Sequence, residues 1–171
     1  MDVAGSPTTN RDQVFRILSL LESISAQEDL NSSILQKLGS KANCMATIAS
    51  MDVPSRERVL ALSVMYNTMA SISDFHNRDF IHTNIHHCIL YLGLLEFYED
   101  DMKLVKAAAD CLNLMLQLGS QIEEDSQIGE PNPVIEYCMQ HSGLDNLENA
   151  QRCKDKCFRD IINDIINKYF T

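Results

Sequence analysis

GLDNLENAQRCKDKCFRDIINDIINKYF, residues 143–170, reads as a polar turn, a short helix and a longer amphipathic helix. Its spacing echoes pieces earlier in the chain. Along 101–116, Leu104, Val105, Ala108, Cys111, Leu112 and Met115 fall at three- and four-residue intervals, the single apolar stripe of a helix. Val14, Ile17, Leu21 and Ile24 recur as Val59, Leu62, Tyr66 and Met69, and again as Val105, Ala108, Leu112 and Met115, a period of about 45 residues. Shorter helices precede the last three long ones: Met45, Ile48 and Met51 correspond to Tyr91, Leu94 and Phe97, then to Leu144, Leu147 and Ala150. The second interval is the longer, and its extra residues map to GSQIEEDSQIGEP, 119–131, a polar segment punctuated by Gly and Pro that is expected to form an inserted acidic loop.

A unit of this length, with two or three helices, cannot bury its apolar face alone and stacks on its neighbours. The period is in the range of armadillo and HEAT arrays, so the expected fold is all-α: a short α-solenoid of about three repeats plus an N-terminal partial repeat, which the resemblance given below makes an armadillo-repeat superhelix. Residues 1–10 are expected to be a disordered tail and 11–171 the repeat domain. Long helices are expected at 11–26, 56–72, 102–119 and 156–170, lining one concave side. The first has no short helices before it and begins in mid-repeat. Its apolar end is left to be covered by the polar tail, by another chain, or by nothing. At the other end Arg152, Lys154, Lys156, Arg159, Asp160, Asn163, Asp164, Asn167 and Lys168 supply the solvated outer face that a terminal cap requires.

Composition agrees with one helical domain. Of 171 residues, 45% are hydrophobic, with few Gly and Pro and no Trp. No apolar run approaches the roughly 20 residues that span a bilayer, and MDVAGSPTTNRDQ at the start lacks the regions of a secretory leader. A soluble, intracellular chain is expected. Cys44, Cys88, Cys111, Cys138, Cys153 and Cys157 are dispersed, and most sit among apolar neighbours, where a reduced cysteine acts as a small hydrophobe. The formal net charge of −10 opposes non-specific contact with nucleic acid or an anionic membrane. Much of it is local: Glu96, Glu99, Asp100, Asp101, Asp110, Glu123, Glu124, Asp125, Glu130 and Glu136 face only Lys103 and Lys106. Such a run is either a solvated segment or a field that attracts a basic partner.

Sites of chemistry are sparse. His82 and His86 could share one helical face with Cys88 nearby, but a zinc site needs a further converging ligand, so no metal is expected. Cys153 and Cys157, one turn apart and flanked by charge, read as surface cysteines poorly placed for a disulfide. Cys138 and His141 lack an orienting third residue or an oxyanion loop. The chain carries no phosphate-binding loop or nucleophile elbow either, so neither enzymatic activity nor a cofactor is expected. Tyr66 is assigned to the core, and Asn67 to core or groove.

Gly143, Leu144, Asp145, Leu147, Glu148 and Gln151, followed without gaps by Ile165, Ile166, Lys168, Tyr169 and Phe170, resemble the ending of importin-α (karyopherin-α) proteins. Leu118 with Gly119, then Asn132 with Pro133 before Ile135 and Glu136, resemble the loop between the last two armadillo repeats of that family. Cys88, Ile89 and Leu90, Leu94 and Leu95, then Asp101, Lys103, Val105 and Ala108, resemble its penultimate repeat. The resemblance covers 88–170; upstream only repeat register and Asn67 support it.

What the resemblance implies is carriage of nuclear localisation signals, with lysines gripped on the concave face by Trp and Asn side chains spaced along successive third helices. Here the Trp-equivalent positions are Leu18, Ser63 and Cys111 or Asp110, Asn67 keeps an Asn position, and Glu22 and Leu114 lie at or near the others. The family's arginine-rich segment that recruits importin-β has no counterpart in 1–16, which hold only Arg11 and Arg16. The implied function is an importin-α-like protein-binding module of nucleocytoplasmic transport, in nucleus and cytoplasm, lacking parts of a complete adaptor. Its implied partners are basic signal-bearing or folded cargo, an export receptor or a nucleoporin, with no direct nucleic acid or membrane contact. Ser63, Asn67, Asp110 and Asn113 are the candidate concave-face residues, and Glu123, Glu124 and Asp125 an accessory acidic loop. The alternative is a structural protein that dimerises, or docks onto longer armadillo proteins as a competitor, through its incomplete first repeat.

Overall fold

Apolar stripes at helical spacing dictate helices, and in the computed structural model the regular structure is entirely helical among the described residues, 7–27, 41–71, 77–125 and 131–171. In chain order these are α1 (Pro7–Ser25), α2 (Ala42–Ser50), α3 (Ser55–Ala70), α4 (Asn77–Asn84), α5 (His87–Leu94) with a 3-10 turn at Leu95–Phe97, α6 (Met102–Asp125), α7 (Pro133–Gln140), α8 (Gly143–Ala150) and α9 (Lys156–Tyr169). The long helices pack in chain order, α1 on α3, α3 on α6 and α6 on α9. Shorter helices form a second layer, α2 against α5 and α5 against α8, and each of these three also packs on the long helix that follows it.

Burial follows position in this ladder. On α6, between α3 and α9, Leu104, Val105, Ala108, Cys111, Leu112 and Met115 are all fully buried, as their stripe requires. Each large side chain among them stabilises the fold by about 1.5–3 kcal/mol. On α3 the buried set is Ala61, Leu62, Val64, Met65, Thr68 and Met69, while Tyr66, assigned to the core from its spacing, is 40% exposed. α1 departs furthest from its expected stripe. Leu18 and Ser25 point inward, whereas Val14 and Ile17 are exposed. Among the described elements its main contact is with α3.

Capping residues set where helices begin. The Asp101 carboxylate accepts from the Leu104 amide at 3.1 Å before α6, and Asp155 accepts from the Phe158 amide at 2.7 Å before α9. The Phe158 amide holds the Asp155 carboxyl below its ordinary value, helped by Lys106, whose Nζ lies 3.4 Å away. Asn132 caps α7, accepting from Val134 and Ile135, with Pro133 in the first turn.

The expected loop at 119–131 is corrected in its first half. α6 continues through Asp125, so Gly119, Glu123 and Glu124 are helical, and 126–130 lie outside the described residues. Gly119 is present for close packing rather than for chain termination. A Cβ there would stand 2.2 Å from Asn132 Oδ1 and 2.9 Å from Val134 Cγ2. Asn132 Nδ2 meanwhile donates to the Leu116 carbonyl and to Ser120 Oγ, both at 3.0 Å. The Gly119 and Asn132 signals, far apart in sequence, thus form one joint between α6 and α7. α1 likewise begins at Pro7, inside the stretch expected to be tail.

α9 packs on α6 and α8. Phe158, Ile162, Ile165 and Tyr169 face inward, and Lys156, Asp160, Asp164, Asn167 and Lys168 are exposed. Cys153, read as a surface cysteine, is buried, with its carbonyl accepting from Arg159 Nη1 at 3.0 Å; Cys157 is exposed.

Candidate functional site

On α3, Ser63, Tyr66 and Asn67 lie three and four residues apart and therefore share a face. That face forms the middle of an open groove of about 150 Å³. Glu22 of α1 forms one wall, Ala107 and Asp110 of α6 the other, and Leu62 contributes to the lining. The groove lies where α3, packed between α1 and α6, presents Ser63, Tyr66 and Asn67.

Two of its lining side chains are carboxylates and none is a base, so it is electronegative. Asp110 is exposed at the rim, and partial desolvation raises its carboxyl above its ordinary value. Tyr66 presents an aromatic surface between the two acids. Asn67 is held at the wall, its Nδ2 donating to Ser25 Oγ at 3.2 Å, while that hydroxyl donates to the Glu22 carbonyl at 3.0 Å. Two turns away on the same helices, Arg56 stands 3.3 Å above the Phe15 ring, a cation–π contact between α1 and α3.

Of the residues expected on a concave face, the structure brings Ser63, Asn67 and Asp110 together. Asn113, one turn along α6, is exposed without lining the groove. Between Cys111 and Asp110, the groove position belongs to Asp110. Cys111 is fully buried, its thiol directed to the Leu62 carbonyl at 3.4 Å and pushed up by burial. Leu18 is likewise core. Glu123 and Glu124 are exposed at the end of α6, about 20 Å from Asp110 by helical rise, on a helix and not a loop. Asp125 is the last residue of that helix, and its side chain lies outside the described residues.

Tyr66 and Glu22 were the residues that spacing did not identify as site residues. An aromatic in an apolar stripe reads as core, and Glu22 gained meaning only through its correspondence to Asn67 one repeat later. The histidine pair is also rearranged. α4 ends at Asn84 and α5 begins at His87, so His82 and His86 do not share one helix. His86 and His87 instead both place Nε2 against Asn43 Oδ1, at 3.1 and 2.9 Å. Cys138 is buried, whereas His141 is exposed and bonds the Tyr137 carbonyl at 2.8 Å. Among the described residues no three His, Cys, Asp or Glu side chains gather as metal ligands, and no helix is long and apolar enough to cross a membrane. Neither a protein-family model nor a curated protein matches the chain.

Proposed function

We propose that the chain is a protein-binding module: an importin-α-like armadillo array of about three repeats plus an N-terminal partial repeat, acting in nucleocytoplasmic transport. Its partners are basic signal-bearing or folded cargo, an export receptor or a nucleoporin, met in nucleus and cytoplasm. Two things support this reading. One is the residue resemblance over 88–170. The other, which carries it furthest, is the groove in which Glu22 and Asp110 flank Tyr66, Ser63 and Asn67.

A lysine or arginine of an extended segment lays its stem along Tyr66 and its cation between the two carboxylates. Ser63 and Asn67 supply hydrogen-bonding groups for the segment's backbone. Stacking on the ring contributes about 0.5–1 kcal/mol. Each solvent-screened carboxylate adds about 1 kcal/mol or less. One such subsite gives weak binding, and the rest of the affinity comes from contacts elsewhere on the partner.

The test is fluorescence anisotropy with a labelled lysine-rich peptide and its alanine-substituted control. Tyr66→Ala and Asp110→Asn should each weaken binding by about threefold to tenfold. Unchanged affinity in both variants, with helicity retained, refutes the groove as the binding site.

A further inference from the structure

Asn43 lies in the first turn of α2, and His86 and His87 lie where α5 begins, 43 and 44 residues further along the chain. Packing of α2 against α5 brings the three together. Nε2 of His86 is 3.1 Å and Nε2 of His87 2.9 Å from the same oxygen, Asn43 Oδ1, and the ring centroids are 4.2 Å apart with their planes tilted by 54°. Satisfying the rings does not require this arrangement. His86 is exposed and water could serve its Nε2, yet the ring turns to the oxygen that already serves its neighbour.

Two imidazole nitrogens aimed at one point are the beginning of a coordination shell. On a tetrahedral zinc ion, with each nitrogen about 2.0–2.1 Å from the metal, two such atoms stand about 3.4 Å apart. That separation is within reach of two rings whose centroids are 4.2 Å apart and whose Nε2 atoms converge. The ion would lie about 1 Å short of the present position of Oδ1, and Asn43, whose side chain is exposed, swings back by that much to become the third ligand. With its proton on Nδ1, each neutral ring offers the Nε2 lone pair to the metal, and no net proton is released. The buried His87 ring is held by its surroundings, while exposed His86 and Asn43 leave the remaining positions of the ion open to water. Imidazole suits divalent transition metals, and a net charge of −10 favours a cation.

We propose that Asn43, His86 and His87 form a binding site for a divalent transition-metal ion, zinc in the first place, with both imidazole Nε2 atoms and Asn43 Oδ1 as ligands and water in the remaining positions. The third ligand is a neutral amide oxygen and not an acid or a thiolate, so the dissociation constant is on the order of 10 micromolar. Bound zinc fastens α2 to the start of α5 and stabilises the fold according to its occupancy. The inference is independent of the groove.

Isothermal calorimetry of the full chain with zinc chloride tests it. One ion per chain is expected, and His86→Ala, a change at an exposed position, should raise the dissociation constant about tenfold or more. Asn43→Asp supplies a carboxylate at the same place and suits the first turn of α2, so it should lower the constant about tenfold. In proton–nitrogen spectra of the imidazole rings, zinc should move Nε2 of His86 and His87 together and leave the proton on Nδ1. Cys44 and Cys157 are the exposed thiols, and a protein carrying Cys44→Ser and Cys157→Ser should bind zinc as the wild type does. The proposal is overturned by a chain that binds no zinc at about 1 mM, by binding that both His86→Ala and Asn43→Asp leave unchanged, by binding that the cysteine changes abolish, or by a response of one ring alone.

Discussion

Lowering the pH from 7 to 4 should remove about 3 kcal/mol of stability through His87 alone. His87 is 4% exposed at the start of α5, beside a small cavity lined by Ala42, Met45, Phe80, Asn84 and Tyr91, with Nε2 on Asn43 Oδ1 of α2. Burial first, and the neighbouring His86 second, lower its pKa from 6.5 to about 4. Between those values the unfolded chain holds a proton that the native chain does not, so stability falls as pH falls. The slope approaches about 1.4 kcal/mol per pH unit below 6.5, and the loss is complete near the folded value. Above 6.5 both states are neutral there and the effect vanishes. Against a typical total of about 5–15 kcal/mol, the loss is large. Urea denaturation followed by helical circular dichroism at stepped pH measures it. His87→Gln should flatten the curve between pH 6.5 and 5, above the main carboxylate range. An equal slope in wild type and variant would refute the assignment.

Two further outcomes follow from packing and charge. Gly119→Ala forces a methyl into Asn132 Oδ1 and displaces the α7 cap together with its bonds to Leu116 and Ser120, so chemical denaturation should show a loss of about 1–3 kcal/mol in spite of alanine's better helix propensity. Asp110→Asn removes an exposed charge whose carboxyl is raised by partial desolvation, so the free protein should melt at the same temperature or higher while basic-peptide affinity falls. A lower melting temperature in that variant would mean that the carboxylate supports the fold rather than a ligand.

How much was legible in the sequence differs between elements for physical reasons. α6 and α9 were readable because each buries a complete stripe, and three-to-four-residue spacing reports burial directly. α1 was readable as a helix but not in its buried stripe, because among the described elements it packs mainly on α3 and its apolar residues continue onto the exposed side. The break assigned at Gly119 failed because glycine marks both chain termination and close approach, and only the partner, Asn132, tells them apart. In the groove, Ser63, Asn67 and Asp110 were accessible by repeat register. Tyr66 was hidden in its own stripe, where an aromatic that serves a groove carries the same spacing as one that fills a core.

The central claim is that a basic segment is read by the groove across α1, α3 and α6. Titrating isotope-labelled protein with a lysine-rich peptide, and following backbone amide and side-chain resonances by heteronuclear NMR, tests it most directly. The largest shifts are expected at Glu22, Ser63, Tyr66, Asn67, Ala107 and Asp110, and they should be lost in Tyr66→Ala. Shifts centred instead on Glu123 and Glu124, or spread over every exposed acid, would contradict it.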